Sequence, residues 1–213
     1  QELTRLKIKL LPPSINYSGP NFLRKNESIL YALGAIKNVG IESMKELYNE
    51  RNKNGSFKDL NDFIDRCNSS VVNKKTIEAL SCAGAFDEFK INRADIFNHA
   101  AEIVKYHKSL NTRAFNSQED MFSETILSNF HLKNEGEWKR DYKLMKEYEM
   151  LGFYLSGHPL EMHKNNYKTL LLKEYNEIKE NSDLHNKKDI LIGGTLLSKK
   201  EKRSAKGSAY AFL

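Results

Sequence analysis

The chain has 213 residues, of which 39% are hydrophobic, enough for one sizeable core or two to three small modules in series. Its formal net charge of +6 favours a polyanionic partner such as nucleic acid, although a compositional habit of the source organism would explain the excess of lysine equally well. No run approaches the roughly 18 apolar residues of a membrane span, and the N-terminus lacks the apolar core of a signal peptide. We therefore expect a cytoplasmic protein that does not contact a membrane.

The N-terminal region predicts a strand, a loop and a hairpin. Residues 3–11 alternate weakly between apolar and polar types and stop at Pro12-Pro13. Two β-prone runs then flank a polar turn at 25–27, which is the pattern of a β-hairpin.

From Ile41 onward, apolar residues recur with the 3.6-residue spacing of a helix. Gly55 is a candidate helix stop, and Ser56 or Asp59 is a candidate cap for the next helix. Three further helices are predicted: a short one around 60–64, one over 74–83 between Asn73 and Gly84, and one from Asn92 to about Leu110.

The second half of the chain is less regular. Residues 111–135 hold scattered single apolar residues and predict a linker. A helix returns at Trp138 and stops at Gly152, and Pro159 suits the first turn of a short helix. The stripe expected to face inward on the longer helix is Tyr142, Met145, Tyr148 and Leu151. Two strands around a basic turn are predicted over 189–213, and because the second strand is cut short we expect a longer parent protein.

A tight turn followed at once by a helix marks residues 33–47, "LGAIKNVGIESMKEL". This order places backbone amides at a helix N-terminus, where the helix dipole also favours an anion such as phosphate. A side chain at Gly40 would hold a sugar-phosphate backbone away from those amides. The pattern is that of a helix-hairpin-helix motif without its usual first glycine. The candidate phosphate-contacting residues are Lys37, Asn38, Val39, Gly40, Ile41 and Lys45.

A looser second copy of this motif lies at 76–89, "TIEALSCAGAFDEF". Gly84 stands at the turn and is a further candidate for phosphate contact. The alternative is that Gly84 is a plain glycine helix stop.

Residues suited to catalysis or metal binding do not form a recognisable pattern. The acidic pairs Asp59 with Asp62 and Glu147 with Glu149 are predicted on solvated helix faces, so they do not suggest a two-metal site. His158 is expected to cap a helix or to pack. The two cysteines form no CxxC pair, so both are predicted to be buried, with no zinc site or disulfide framework. We expect this chain to be non-catalytic and to hold no cofactor.

Several stretches together resemble the alpha subunits of bacterial DNA polymerase III, in the region that follows the catalytic domains. They occur in the family's order and spacing and are "LPPSIN", "YALGAIKNVG", "GSFKDLNDFIDR", "VNKKTIEALSCAGAFDEF", "NRADIF", "QEDMF" and "MKEYEMLGFYLSGHPL". The resemblance covers nearly the whole chain, and "LGFYLSGHPL" with "LGAIKNVG" is very specific.

The resemblance implies a mainly α fold in five parts. They are the tail of the fingers region with a β-hairpin (1–30), a tandem helix-hairpin-helix domain that holds double-stranded DNA (31–115), a linker with the sliding-clamp-binding motif (116–135), a helical connector (136–187) and the first strands of a truncated OB fold (188–213).

The resemblance also implies partners. They are DNA, the sliding clamp (beta subunit) and other subunits of the polymerase III holoenzyme. The family's catalytic aspartates, with their magnesium ions, lie upstream of the matching region. The clamp-contacting residues implied within "QEDMF" are Gln118, Asp120, Met121 and Phe122.

Two other functions fit the same residues. One is the corresponding region of the error-prone paralogous polymerase, in which we expect the clamp motif to be degraded. The other is a stand-alone helix-hairpin-helix module, which we would not expect to stop inside a strand.

Overall fold

The structure is a computed structural model, and it describes residues 2–116, 130–163, 169–170, 172, 178, 190–196, 199–203 and 209–212. The chain divides into two compact units, Gln1–Ser156 and Gly157–Leu213. The boundary falls inside the stretch 136–187 that the sequence predicts as one connector, and the five-part division stays a prediction.

Most of the described elements are helices. The helices are α1 (Glu2–Arg5), α2 (Ile41–Asn54), α3 (Leu60–Arg66), α4 (Lys74–Ala83), α5 (Arg93–Asn98), α6 (Ala100–Asn116) and α7 (Arg140–Leu151), with 3-10 turns at Leu33–Ala35, Asp87–Phe89 and Pro159–His163. The strands are β1 (Lys9–Leu11), β2 (Leu23–Lys25), β3 (Ser28–Leu30), β4 (Lys200–Arg203) and β5 (Ala209–Phe212). None of the described helices is long and apolar enough to cross a membrane.

A small three-stranded sheet precedes the helices of the first unit. The predicted hairpin is confirmed, since β2 pairs antiparallel with β3, and β1 adds to β3 in parallel. Asn26 takes a φ of 55° in the turn, a conformation that asparagine tolerates better than most residues. The expected strand over 3–11 is wrong in its first half, because the chain is helical over Glu2–Arg5 and extended only from Lys9.

The helical core is built as the capping signals predict. The Asp59 side chain accepts a hydrogen bond from the Asp62 amide, and the Asn73 side chain accepts one from the Thr76 amide. Gly55 and Gly84 end α2 and α4 with positive φ angles of 86° and 80°. The largest fully buried side chains, all in this unit, are Phe63, Phe86, Ile15, Leu33, Ile36, Met44, Leu47, Ile64, Ile77, Leu80, Ile96 and Ile103.

Both cysteines are buried, as predicted. Burial raises the pKa of the Cys67 and Cys82 thiols to about 12, which keeps both protonated and unreactive at neutral pH.

The helix predicted from Asn92 to Leu110 is two helices that meet at His99. The His99 imidazole Nδ1 lies 2.8 Å from the Asp95 carbonyl oxygen, which also accepts the His99 amide. His99 is the single residue between the end of α5 at Asn98 and the start of α6 at Ala100. The helix α6 then runs to Asn116, so the expected linker starting at residue 111 is wrong in its first part.

The inward face of α7 differs from the apolar stripe predicted for it. Tyr142 and Met145 are 42% and 43% exposed, whereas Leu144, Glu147 and Leu151 are buried. The prediction that Glu147 lies on a solvated face is also wrong. A network of long-range polar contacts buries it, and hydrophobic periodicity does not register such contacts.

Residues 130–137 pack on the helices instead of forming the predicted linker. The Asn61 side chain binds both the amide and the carbonyl of Phe130, at 3.0 and 3.3 Å. The Phe130 ring also packs on Tyr106, with the ring centroids 5.5 Å apart. The amide of Glu135 donates to the Asp95 carboxylate at 2.9 Å. We call residues 130–137 the strap.

The second unit contains the predicted short helix at Pro159–His163. His158 caps it, since its Nδ1 accepts a hydrogen bond from the Leu160 amide at 3.2 Å. The strands β4 and β5 pair antiparallel. The strand β4 lies within the stretch that the sequence predicts as a basic, glycine-containing turn, so that prediction is wrong in part; all four β4 residues are exposed.

Candidate nucleic-acid interface

The predicted hairpin at 36–41 joins the 3-10 turn Leu33–Ala35 to α2. The Val39 amide donates to the Ile36 carbonyl at 3.2 Å, and the Met44 amide donates to the Gly40 carbonyl at 3.2 Å. The Lys37 amide donates to the carbonyl of Met150 at the end of α7, at 3.0 Å. The turn is therefore held from both sides and presents a fixed backbone.

Asn38 stands where the motif usually has its first glycine, and its φ is 68°. Asparagine enters this left-handed region more readily than other non-glycine residues. The substitution therefore keeps the backbone conformation that a glycine would supply.

Neither backbone conformation nor packing within the described residues requires glycine at position 40. Its φ is −76°, and a Cβ atom added to it would meet only the Ser43 hydroxyl, at 3.4 Å. Gly34 differs, because a Cβ there would lie 2.6 Å from the Pro20 carbonyl oxygen. Packing thus requires glycine at 34 but not at 40. What a side chain at Gly40 would obstruct is approach from outside the molecule.

The N-terminus of α2 presents free donors at this point. Gly40 is the N-cap and no side chain caps the helix, so the first-turn amides lack intrahelical acceptors. Within the described residues, the amides of Asn38 and Ile41 have no acceptor either. Val39 differs from the prediction: its amide is already bonded to Ile36, and its side chain packs on the core.

Charges around the hairpin are mixed. Lys37 is exposed and forms no ion pair with any described residue. Lys45 is half exposed and lies 2.7 Å from the Glu42 carboxylate in the same helical turn. An exposed pair of this kind is worth about 0.3–0.5 kcal/mol, so Lys45 can exchange Glu42 for a stronger anion at little cost.

The second candidate turn has a different construction. Gly84 is buried, and its amide donates to the Leu80 and Ser81 carbonyls. A Cβ atom at Gly84 would overlap the guanidinium of Arg93. The geometry at Gly84 is that of the glycine helix stop, which was the alternative prediction, and its amide is not available to a phosphate.

A carboxylate of the chain itself occupies the N-terminus of α5, the helix after this second turn. The Glu137 oxygens accept from the Arg93 and Ala94 amides at 3.3 Å each, and Lys143 donates to Glu137 at 2.7 Å. Burial alone would raise the pKa of Glu137, but Lys143 and the amides of Trp138 and Ala94 lower it overall. Sequence reasoning missed Glu137, because this residue is more than forty positions from the start of α5 along the chain and no local pattern marks it as a cap.

The Arg93 side chain joins this second turn to α7. It donates to Asp87 at 2.5 Å, to the Cys82 carbonyl at 3.2 Å and to buried Glu147 at 3.4 Å. Glu147 also accepts from the amides of Leu155 and Ser156, at 2.7 and 2.8 Å. The start of the "LGFYLSGHPL" stretch is thereby tied to the helical core.

The residues predicted to contact the clamp, Gln118, Asp120, Met121 and Phe122, lie outside the described residues. Among the residues that are described, no group of three or more histidine, cysteine, aspartate or glutamate side chains could hold a metal ion.

Comparison with known proteins gives consistent matches. A helix-hairpin-helix family model matches residues 7–96. DNA polymerase III subunit alpha from Caulobacter vibrioides is 39% identical over 162 residues, which cover 76% of this chain and 14% of that protein. The corresponding proteins of Campylobacter jejuni and Aquifex aeolicus are 35% and 34% identical, each over 95% of this chain.

The chain spans less than a fifth of the length of these relatives, 18% in Campylobacter jejuni and 16% in Aquifex aeolicus. Three bacterial proteins with the same name thus align with this sequence in one limited region, and a helix-hairpin-helix model covers the part that contains both turns. The chain belongs to the family of bacterial DNA polymerase III alpha subunits.

Proposed function

We propose that this chain holds the DNA duplex behind the active site of a replicative DNA polymerase and tethers that polymerase to its sliding clamp. The observation that carries the DNA part is Gly40, a glycine that the fold does not require, next to an uncapped helix N-terminus. Membership in the DNA polymerase III alpha family supports it.

In the proposed complex, a backbone phosphate lies against the amides of Asn38, Gly40 and Ile41. The α2 dipole adds to this attraction, as helix N-termini do for anions. Lys37, and Lys45 after it leaves Glu42, contact the flanking phosphates. Since none of these groups reads a base, binding is independent of sequence and weakens with salt, with a slope that corresponds to about two to four phosphates.

The test of this proposal compares two exposed glycines. Gly40→Val places a branched side chain at the contact point, and Gly194→Val is the matched control, because Gly194 also faces open space. We expect Gly40→Val to weaken binding of the 213-residue chain at least about fivefold, for two duplexes of unrelated sequence alike. Fluorescence anisotropy at several salt concentrations measures this. Equal affinity of the Gly40→Val and Gly194→Val variants would contradict the proposal.

The clamp tether rests on the resemblance of residues 118–122 to the family's clamp-binding motif. Burial of Met121 and Phe122 in a pocket of the clamp is worth about 3–5 kcal/mol before ordering costs, so we expect a weak contact. A peptide spanning 116–124 should bind the clamp without the rest of the chain, because such a motif needs no tertiary support.

Calorimetry with that peptide and its Met121→Ala, Phe122→Ala double variant checks the tether. We expect the double variant to lose most of the binding, since adjacent apolar anchors carry most of the energy in contacts of this kind. In the 213-residue chain, the same double change should leave the melting temperature nearly untouched. A large drop in melting temperature with clamp affinity intact would refute the tether.

For the whole protein, we propose template-directed DNA synthesis in the cytoplasm, with magnesium ions held by residues outside this chain and with other holoenzyme subunits as partners. We also propose that β4 and β5 are the first strands of an OB fold. Their antiparallel pairing supports this.

A further inference from the structure

A cleft of about 190 Å³ opens beside the hairpin, between α4 and α7. Asn38 contributes to its wall, together with Lys75 and Glu78 from α4 and Lys146 and Glu149 from α7. The cleft has room for a phosphate group with a few waters, and it is smaller than the roughly 300–1,000 Å³ of sites for larger organic ligands.

The charges of this cleft are compensated except at one residue. Lys146 lies 2.9 Å from Glu149, and Glu78 faces Lys74 at 3.7 Å. Lys75 is exposed in the first turn of α4 and has no ion pair within the described part of the chain. Its ammonium is therefore available to an anion that enters from solvent.

The cleft and the hairpin form one continuous surface, because Asn38 belongs to both. A DNA strand whose phosphate lies on the hairpin amides carries its next phosphate one nucleotide further along, and successive phosphates are spaced at about 3.4 Å of helix axis per strand. Lys75, whose charge is unpaired within the described residues, lines the same cleft as Asn38.

We infer that the phosphate path extends from the hairpin into this cleft, where Lys75 and the Asn38 side chain contact a second backbone phosphate. This inference rests on the proposed DNA-binding function and assigns it a second contact point outside the helix-hairpin-helix turn. It makes α4, a helix of the scaffold, part of the DNA-binding surface.

Lysine-to-glutamine variants of two neighbouring residues test the inference in the 213-residue chain. Lys75→Gln removes the free charge, and Lys74→Gln is the control, since Lys74 is adjacent and exposed but is paired with Glu78 and does not itself line the cleft. We expect Lys75→Gln to weaken duplex DNA binding about three- to tenfold and to lower the salt slope by about 1. Lys74→Gln should change affinity less than about twofold.

A third variant, Asn38→Gly, keeps the positive φ and removes only the side chain. It should weaken binding about two- to fivefold, which corresponds to the loss of one hydrogen bond. Retention of full affinity by both Lys75→Gln and Asn38→Gly would overturn the inference. Equal losses with Lys74→Gln and Lys75→Gln would also overturn it, because the effect would then be diffuse charge.

The Gly40→Val variant separates this inference from the proposed function. If Gly40→Val weakens binding while neither Lys75→Gln nor Asn38→Gly does, the hairpin contact stands and the extension into the cleft is wrong. If none of the three changes weakens binding, the proposed DNA contact of the hairpin fails together with the inference.

Discussion

The two helix-hairpin-helix turns of this chain share a sequence pattern and differ in what surrounds them. The first turn, at 36–41, leaves its helix N-terminus uncapped and exposed to solvent. The second turn, at Gly84, is buried under Arg93, and the following helix receives the Glu137 carboxylate at its first amides. At the second turn, the Glu137 carboxylate of the chain itself binds the amides of the helix N-terminus. At the first turn, no side chain caps the helix, so its N-terminus can accept an anion from outside.

This difference indicates that duplicated motifs need not share a function. An anion at a helix N-terminus stabilises the helix whether it comes from DNA or from the protein. The second copy can therefore lose access to DNA and keep its packing role. The presence of a second helix-hairpin-helix turn is not by itself a sign of a second phosphate contact.

The largest difference between the two turns is expected when the glycine of each turn is replaced by alanine. Gly84→Ala should lower the free energy of unfolding by about 2–4 kcal/mol, because alanine is strained at φ 80° and displaces a buried guanidinium. Gly40→Ala should change it by less than about 1 kcal/mol. Urea denaturation of both variants measures the contrast. Similar losses at the two positions would mean that the turns are not built differently.

An intermediate effect is expected from Glu137→Gln, which keeps the shape of the side chain and removes its charge. The α5 amides and Lys143 lose a charged acceptor, so the free energy of unfolding should fall by about 1 kcal/mol. Glu135→Gln is the control on the same strap, since the Glu135 carboxylate accepts from the Asn98 side chain and from no amide of the α5 N-terminus, and it should contribute less than about 0.5 kcal/mol. Thermal unfolding of both variants decides whether Glu137 caps α5; unchanged stability of Glu137→Gln would contradict the cap.

The smallest expected effect is a pH dependence in the scaffold that both turns share. His107 is buried with its Nε2 2.9 Å from the Cys67 carbonyl oxygen, and its Nδ1 has no hydrogen-bond partner. Burial lowers its pKa below the ordinary 6.5, although Asp65 opposes the shift. The unfolded chain therefore takes up the proton at a higher pH than the folded chain.

The contribution of His107 to stability is consequently full above about pH 6.5 and is lost as the pH falls toward the lower folded-state pKa. His107→Gln should flatten the difference in the free energy of unfolding between pH 7.5 and pH 5. The hairpin at 36–41 contains no histidine, so the effect concerns stability alone. A variant with the same pH profile as the original chain would exclude His107 as its source.

Local signals predicted most of the first unit. The caps Asp59 and Asn73 and the stops Gly55 and Gly84 lie where side-chain chemistry and φ preferences place them. Such signals depend on neighbours within a few residues, and a single sequence contains all of them.

The errors arise where contacts join distant parts of the chain. The buried Glu147, the capping Glu137 and the docked Phe130 all depend on partners more than forty residues away, and hydrophobic periodicity carries no information on such pairs. The same holds for the candidate site. The sequence identified the hairpin, but Lys75 joins it only through the packing of α4 beside α7.

The hydrogen bond from the Lys37 amide to the Met150 carbonyl links the proposed DNA grip to the far end of α7. Thermodynamic linkage is reciprocal, so if the proposed DNA contact is made, an event that moves α7 and breaks this bond should change the affinity of the turn for DNA by the same factor by which DNA opposes that movement. A bound duplex should therefore slow hydrogen exchange at the end of α7, which lies next to the "LGFYLSGHPL" stretch. Through this one amide, we expect the proposed DNA contact to be coupled to the C-terminal end of α7.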